Sequence, residues 1–111
     1  MALYFAIMIK VSAFYPTTPG KRFDMGYFVD THVPLAQKLM GAALKQITVD
    51  EGLSGGDPGS QPPFVAVVHM LFDSVESFQQ VFGMHAAAIM GDVPNYTDIA
   101  PVLQINAIRK S

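Results

Sequence analysis

The chain contains no cysteine, which removes a disulfide framework, a thiolate nucleophile and any metal site built on sulfur. Charge is also scarce, at 14% of 111 residues against about 25% in an average domain. The seven lysines and arginines are scattered, never more than two together, along a chain of net charge -2. No basic stripe tracks a phosphate backbone, so nucleic acid is not an expected partner. Long apolar runs are missing too. The opening MALYFAIMI is broken at Lys10, short of the ~20 residues a membrane span needs, and it has neither the basic lead nor the small-residue cleavage site of an export signal. It reads as the lead-in to a strand; no membrane association is expected, and the cytoplasm is the expected compartment. Nucleophile-elbow, HExxH and CxxC spacings are absent as well, so covalent acyl transfer and a motif-borne metal centre are both disfavoured.

Apolar material, by contrast, is plentiful: half of the residues are hydrophobic. A chain of 111 residues is expected to form one domain spanning 1–111. A domain of that size buries only roughly two-thirds of the surface its unfolded chain exposes. The surplus is expected in an oligomer interface, most simply a homodimer.

From Phe5 to Tyr15 apolar residues alternate as in a strand. Pro16, Pro19 and Gly20 then turn the chain into a helix running from an N-cap at Asp24 to a stop at Gly41. Its inward stripe, at helical spacing, is Met25, Phe28, Val29, His32, Ala36, Leu39 and Met40. His32 therefore takes a core position. Pro34 removes an amide beside it, and the freed Asp30 carbonyl is expected to meet the imidazole and fix its tautomer. Leu44–Glu51 reads as an edge strand with one wet face. Gly52–Pro63 reads as a flexible hairpin loop, since it lacks the lysine and the following helix of a phosphate-cradling loop. Phe64–Phe72 is apolar on both faces and must be central. Asp73 or Ser74 caps a second helix with the inward stripe Val75, Phe78, Phe82, His85 and Ile89. After the irregular DVPNYTDIAP, Val102–Arg109 reads as a last, partly polar strand.

The element order β-α-β-β-α-β predicts an α+β, ferredoxin-like sandwich with an antiparallel sheet ordered 4-1-3-2 and both helices on one face. The third strand's second apolar face is left uncovered. Two such sheets facing one another enclose a barrel with a hollow middle.

The segments IKVSAFYP, RFDMGYFVDTHVPL, LFDSVESF and VPNYTDIAP, in that order, resemble the EthD family, named for ethyl tert-butyl ether degradation and part of the dimeric α+β barrel superfamily. The most specific matches are His32-x-Pro34-Leu35 and Pro94-Asn95-Tyr96-Thr97-Asp98. The resemblance implies a homodimer of ferredoxin-like subunits enclosing a pocket. Relatives in that superfamily include cofactor-free monooxygenases, isomerases, lyases and haem enzymes, so the resemblance does not choose a reaction.

His32 is the first candidate acid or base, because imidazole titrates near neutrality; the alternative is a core histidine bonded to backbone. His69 is the second, facing the barrel hollow and polarising a ligand oxygen, since the opposite facing would bury it beneath the helices. Tyr15, Tyr27, Phe28 and Tyr96 are candidate ligand contacts, the tyrosines at the pocket mouth. His85 and Asn95 are candidate polar supports, with a packed, hydrogen-bonded ring the favoured alternative for His85. The three histidines lie on separate elements without metal-ligand spacing, so neither a metal nor a haem is expected and no cofactor is invoked.

Two functions remain open at this level. One is a homodimeric catabolic enzyme that moves a proton on, or oxygenates, an apolar organic molecule. The other is a non-catalytic protein that holds such a molecule for a partner oxygenase. A third possibility, a structural dimer, requires a cavity filled by side chains.

Overall fold

The computed structural model describes residues 8–111. Strands β1 (Ile9–Pro16), β2 (Gln46–Glu51), β3 (Phe64–Phe72) and β4 (Val102–Ala107) form one antiparallel sheet in the order β2-β3-β1-β4. This is the expected 4-1-3-2 order counted from the other edge. The most apolar strands lie in the centre because only there are both flanks paired and a face covered. Of the expected first strand, Phe5–Ile7 lie outside the described residues.

Period-two alternation divides the sheet into unlike faces. Register pairs Val11 with Met70, Ala13 with Val68 and Tyr15 with Ala66 on the face beneath the helices. On the other face Ser12 stands opposite His69, and Lys10 opposite Leu71.

The first helical region is not one uniform helix. It runs α1 (Met25–Tyr27), a π-helical turn (Phe28–His32), then α2 (Val33–Met40). Asp24 caps it as expected, its carboxylate accepting from the Tyr27 amide at 3.0 Å. Pro34 cannot supply an amide to an α-helical ladder. The chain widens by one residue just before it, so that the Val33 amide donates to the carbonyl of Phe28, five residues back. The inserted residue rotates the expected stripe. Val29, assigned inward from the sequence, is 45% exposed, while Val33 joins Phe28, His32, Ala36 and Met40 in the interior. Gly41, at φ 56, ends α2, where a side chain would be strained.

Ser74 caps α3 (Val75–Gly91), its hydroxyl accepting from the Ser77 amide at 3.0 Å. The 52–63 connector, expected as a flexible loop, folds back on itself through Gly55 N–H to Ser60 O (3.1 Å) and Ser60 Oγ to Asp57 O (2.6 Å). At its base Gly52 is obligatory, since a Cβ there would stand 2.1 Å from the Phe64 carbonyl oxygen.

Two hydrophobic clusters fill the layer between sheet and helices. One gathers Tyr15, Phe28, Tyr96 and Ile99; the other gathers Val11, Ala36, Phe72 and Ile89. Backbone pairing joins the start of α1 to the segment after α3: Phe23 bridges Thr97, and the Asp24 amide donates to Tyr96 O at 2.7 Å. Thr97 Oγ1 donates to Arg22 O at 2.8 Å. Segments some seventy residues apart in sequence are thereby held side by side, and this seam positions the site.

Candidate functional site

A cavity of about 100 Å³ lies where the two clusters meet, between the sheet and the helices. Val11, Ala13, Val68 and Met70 form its floor, and Phe28, Ala36, Phe78 and Ile89 its roof. Among the described residues, the side chains with N–H or O–H groups on its walls are His32, Tyr15 and Tyr96. Met90 and Leu103, both lining residues and 48% and 55% exposed, mark its open side between the end of α3 and the edge strand.

The π turn brings His32 to this wall. Its ring is 7% exposed, stacks on Phe28 at 5.5 Å and 15°, and leans on Tyr96 with centroids 4.6 Å apart. Its Nδ1 lies 2.9 Å from Asp92 Oδ2. The other Asp92 oxygen accepts from the Tyr27 hydroxyl at 2.6 Å and from Asn95 Nδ2 at 2.9 Å. Three donors thus converge on one carboxylate at the C-terminus of α3. Burial by itself raises the Asp92 pKa. The hydrogen bonds from Tyr27, Asn95 and His32, together with the imidazole charge, outweigh it and hold the carboxyl below its ordinary range. An ionised Asp92 can only accept, so the Nδ1 of His32 carries a proton and donates it to Oδ2. Nε2 has no protein partner among the described residues, yet no fully buried polar side-chain atom there is left unpartnered. Nε2 is therefore not fully enclosed by protein, on a residue that lines the cavity.

The hydrogen bond to Tyr27 also raises the phenol's pKa, because a neutral hydroxyl is needed to donate to Asp92. Tyr15 and Tyr96 share a hydrogen bond of 2.8 Å between their hydroxyls, and burial raises both pKa values, so both stay neutral phenols.

The structure places the sequence-derived candidates in three groups. His32, Tyr15, Phe28 and Tyr96 line one cavity; Tyr27 and Asn95 reach it indirectly, through Asp92. Tyr15 and Tyr96, expected at the mouth, are instead 5% and 0% exposed inside the wall. His69 faces the opposite side of the sheet, its Nδ1 2.7 Å from Ser12 Oγ. The two imidazoles do not share a hollow, because an intact β-sheet separates them. His85, half-buried on α3, does not line the cavity. Nor does the Asp30 carbonyl fix the His32 tautomer; a carboxylate sixty residues away does.

Asp92 was missed by sequence reasoning. One signal for it exists: an acidic residue at a helix C-terminus opposes the macrodipole and needs a compensating reason. Among the described residues no group of three or more His, Asp or Glu side chains is placed to hold a metal ion, and no helix there is long and apolar enough to cross a membrane.

The EthD domain family model matches residues 21–100, which contain His32, Asp92 and the whole seam. An EthD-like protein from Ralstonia eutropha JMP134 is 45% identical, superposes with a TM-score of 0.88 and matches over 94% of this chain and 96% of its own. An EthD family protein from Bacillus halodurans C-125 is 24% identical, with a TM-score of 0.67 over 89% and 96% of the two chains. A dimeric ferredoxin-like protein of unknown function from Thermobifida fusca YX, 20% identical with a TM-score of 0.55 over 92% of each chain, shares the fold. No curated protein matches the sequence.

Proposed function

This chain belongs to the EthD family, and from that footing we propose that it binds a small apolar organic molecule between its sheet and helices and moves a proton on it through His32. The supporting observation is the His32–Asp92 pair: a buried imidazole on the wall of an apolar cavity, with Nδ1 engaged at 2.9 Å and Nε2 without a protein partner among the described residues. That arrangement orients a general base and stabilises the imidazolium formed when it accepts a proton. Because apolar walls exclude water, the proton passes between ligand and imidazole without competition from solvent.

The size of the cavity narrows the ligand. At about 100 Å³ it is smaller than the roughly 150 Å³ cavity known to hold benzene. By that proportion the enclosed part suits about four non-hydrogen atoms, with larger molecules extending past Met90 and Leu103. No metal or cofactor enters the step as proposed, which uses only groups of this chain.

We further propose a cytoplasmic homodimer acting in catabolism. The sheet face away from the helices leaves Val65, Val67 and Leu71 half-buried in a single chain, and a second copy would cover them. Analytical ultracentrifugation at micromolar concentration measures this, and a monomer there ends it.

A second reading keeps the cavity and removes the chemistry: the chain holds its ligand for a partner oxygenase. What favours it is that, among the described residues, the cavity wall joins one imidazole to two buried phenols and otherwise apolar groups, without a complete catalytic constellation. Turnover of small lactones, quinones and hydroxylated aromatics by wild type and His32→Gln separates the two. Loss of turnover in the variant supports proton transfer. Recovery of unchanged ligand from both proteins leaves only the binding role.

A further inference from the structure

The Tyr15–Tyr96 pair contains one more proton than its hydrogen bond uses. Each phenol carries one O–H. The 2.8 Å contact between the hydroxyls consumes one of the two, whichever ring donates. The second has no acceptor among the described residues, although Tyr96 is 0% and Tyr15 5% exposed and both line the cavity. A buried donor without an acceptor is destabilising, because it has given up its bond to water for nothing in return. Burial raises both phenol pKa values, so neither proton is lost to ionisation. The remaining O–H also belongs to a hydroxyl already accepting from its neighbour, which polarises it and makes it a better donor. It sits in the same wall as His32, whose ring centroid is 4.6 Å from that of Tyr96.

We infer that the spare O–H of the Tyr15–Tyr96 pair binds a ligand oxygen, and that the cavity selects small carbonyl compounds bearing an enolisable C–H. The inference rests on the reading of the cavity as a small-molecule site and adds to it the class of molecule. The chemistry balances without any further reagent. Nε2 of His32 takes the proton from the carbon next to the carbonyl. The C–H electron pair becomes the new C=C bond, and the carbonyl π pair moves to oxygen as an enolate, held by the phenol O–H. Returning the proton to the same carbon gives exchange with solvent. Returning it to a different carbon of a conjugated ligand gives an isomer.

The test compares cyclopentanone with methylenecyclopentane, which has nearly the same shape but no oxygen, binding to wild type and to Tyr15→Phe/Tyr96→Phe. The double variant is the cleaner one, because removing both hydroxyls leaves no orphan partner and preserves both rings. Ligand-observed NMR titration is expected to show the ketone-to-alkene affinity ratio falling about tenfold or more in the double variant. In deuterated water, wild type is expected to exchange the hydrogens beside the carbonyl, His32→Gln to lose that exchange, and the double phenylalanine variant to slow it by a similar factor. An unchanged affinity ratio, or exchange as fast in the double variant as in wild type, overturns the phenol-donor assignment and leaves the cavity reading standing. If neither molecule binds wild type, the cavity reading falls and this inference with it.

Discussion

A histidine bonded through Nδ1 lies on each side of the sheet, His32 in the helix layer at 2.9 Å from Asp92 and His69 on the opposite face at 2.7 Å from Ser12. The distances barely differ, but the partners do. Asp92 is a carboxylate accepting from three side chains, under a helix layer and beside an apolar cavity. Ser12 is a neutral hydroxyl, and its surroundings of Lys10, Gln46, Thr48 and Gln104 are half-buried or exposed. A charged partner in a low-dielectric setting stabilises an imidazolium; a hydroxyl beside water does so far less. Ser12 is itself 1% exposed, so the pair presents no reachable nucleophile. What separates a candidate base from a structural histidine in this fold is its partner and its solvent, not its hydrogen-bond length.

The contrast breaks first, and by most, on substitution of the histidines. His32→Gln is expected to lower turnover or exchange by about 10²–10⁴-fold, the ordinary worth of a general base, whereas His69→Gln leaves the rate within about twofold. Equal losses from the two would erase the distinction. Asp92→Ala is expected to lower stability by about 3 kcal/mol, because three donors lose their acceptor together. Urea unfolding measures it, and a value below about 1 kcal/mol would mean the network is not held as described. Ser12→Ala on the other face is expected to cost about 1 kcal/mol in the same experiment, the worth of one neutral hydrogen bond.

Acid unfolding sharpens the comparison with a smaller effect. Asp92's carboxyl is held below its ordinary range in the folded chain, so the unfolded chain binds that proton more readily. The resulting stabilisation is fully present above the unfolded carboxylate value of about 3.9 and fades as pH falls through the folded value. Asp92→Asn lacks it at every pH. The stability gap between wild type and this variant is therefore expected to be widest near neutrality and to shrink below about pH 4. A gap that stays constant on acidification would show that the carboxylate is not preferentially ionised in the fold.

The fold was largely legible because it is written in short-range periodicity. The unbroken apolar run Phe64–Phe72 between turn signals marked β3 to the residue, and the greater polarity of β2 and β4 marked the edges. The helical stripe put His32 inward, yet it also put Val29 inward. A uniform period of 3.6 has no place for the π turn that Pro34 provokes. The site was half legible. His32 and Tyr96 fell within the segments that carry the family resemblance. Asp92 did not stand out, because its reason for being at the end of α3 is a side chain sixty residues earlier. Apolar residues on both sides of β3 left its facing without a pattern, and desolvation beneath the helices was the one argument for turning His69 away from them, where it lies opposite Ser12.

By itself, then, the amino-acid sequence determined which segments are strands and helices, their order in the sheet, and that a titratable ring would enter the core. These follow from local spacing and from the need to cover apolar surface. Only the tertiary structure decided that His32 meets Asp92, that Tyr15 meets Tyr96, and that His69 stands apart from both. Those are contacts between residues about sixty or more positions apart or on opposite sides of a sheet. Their geometry is set by the seam between Phe23 and Thr97 and by the facing of the sheet, neither of which any local pattern encodes.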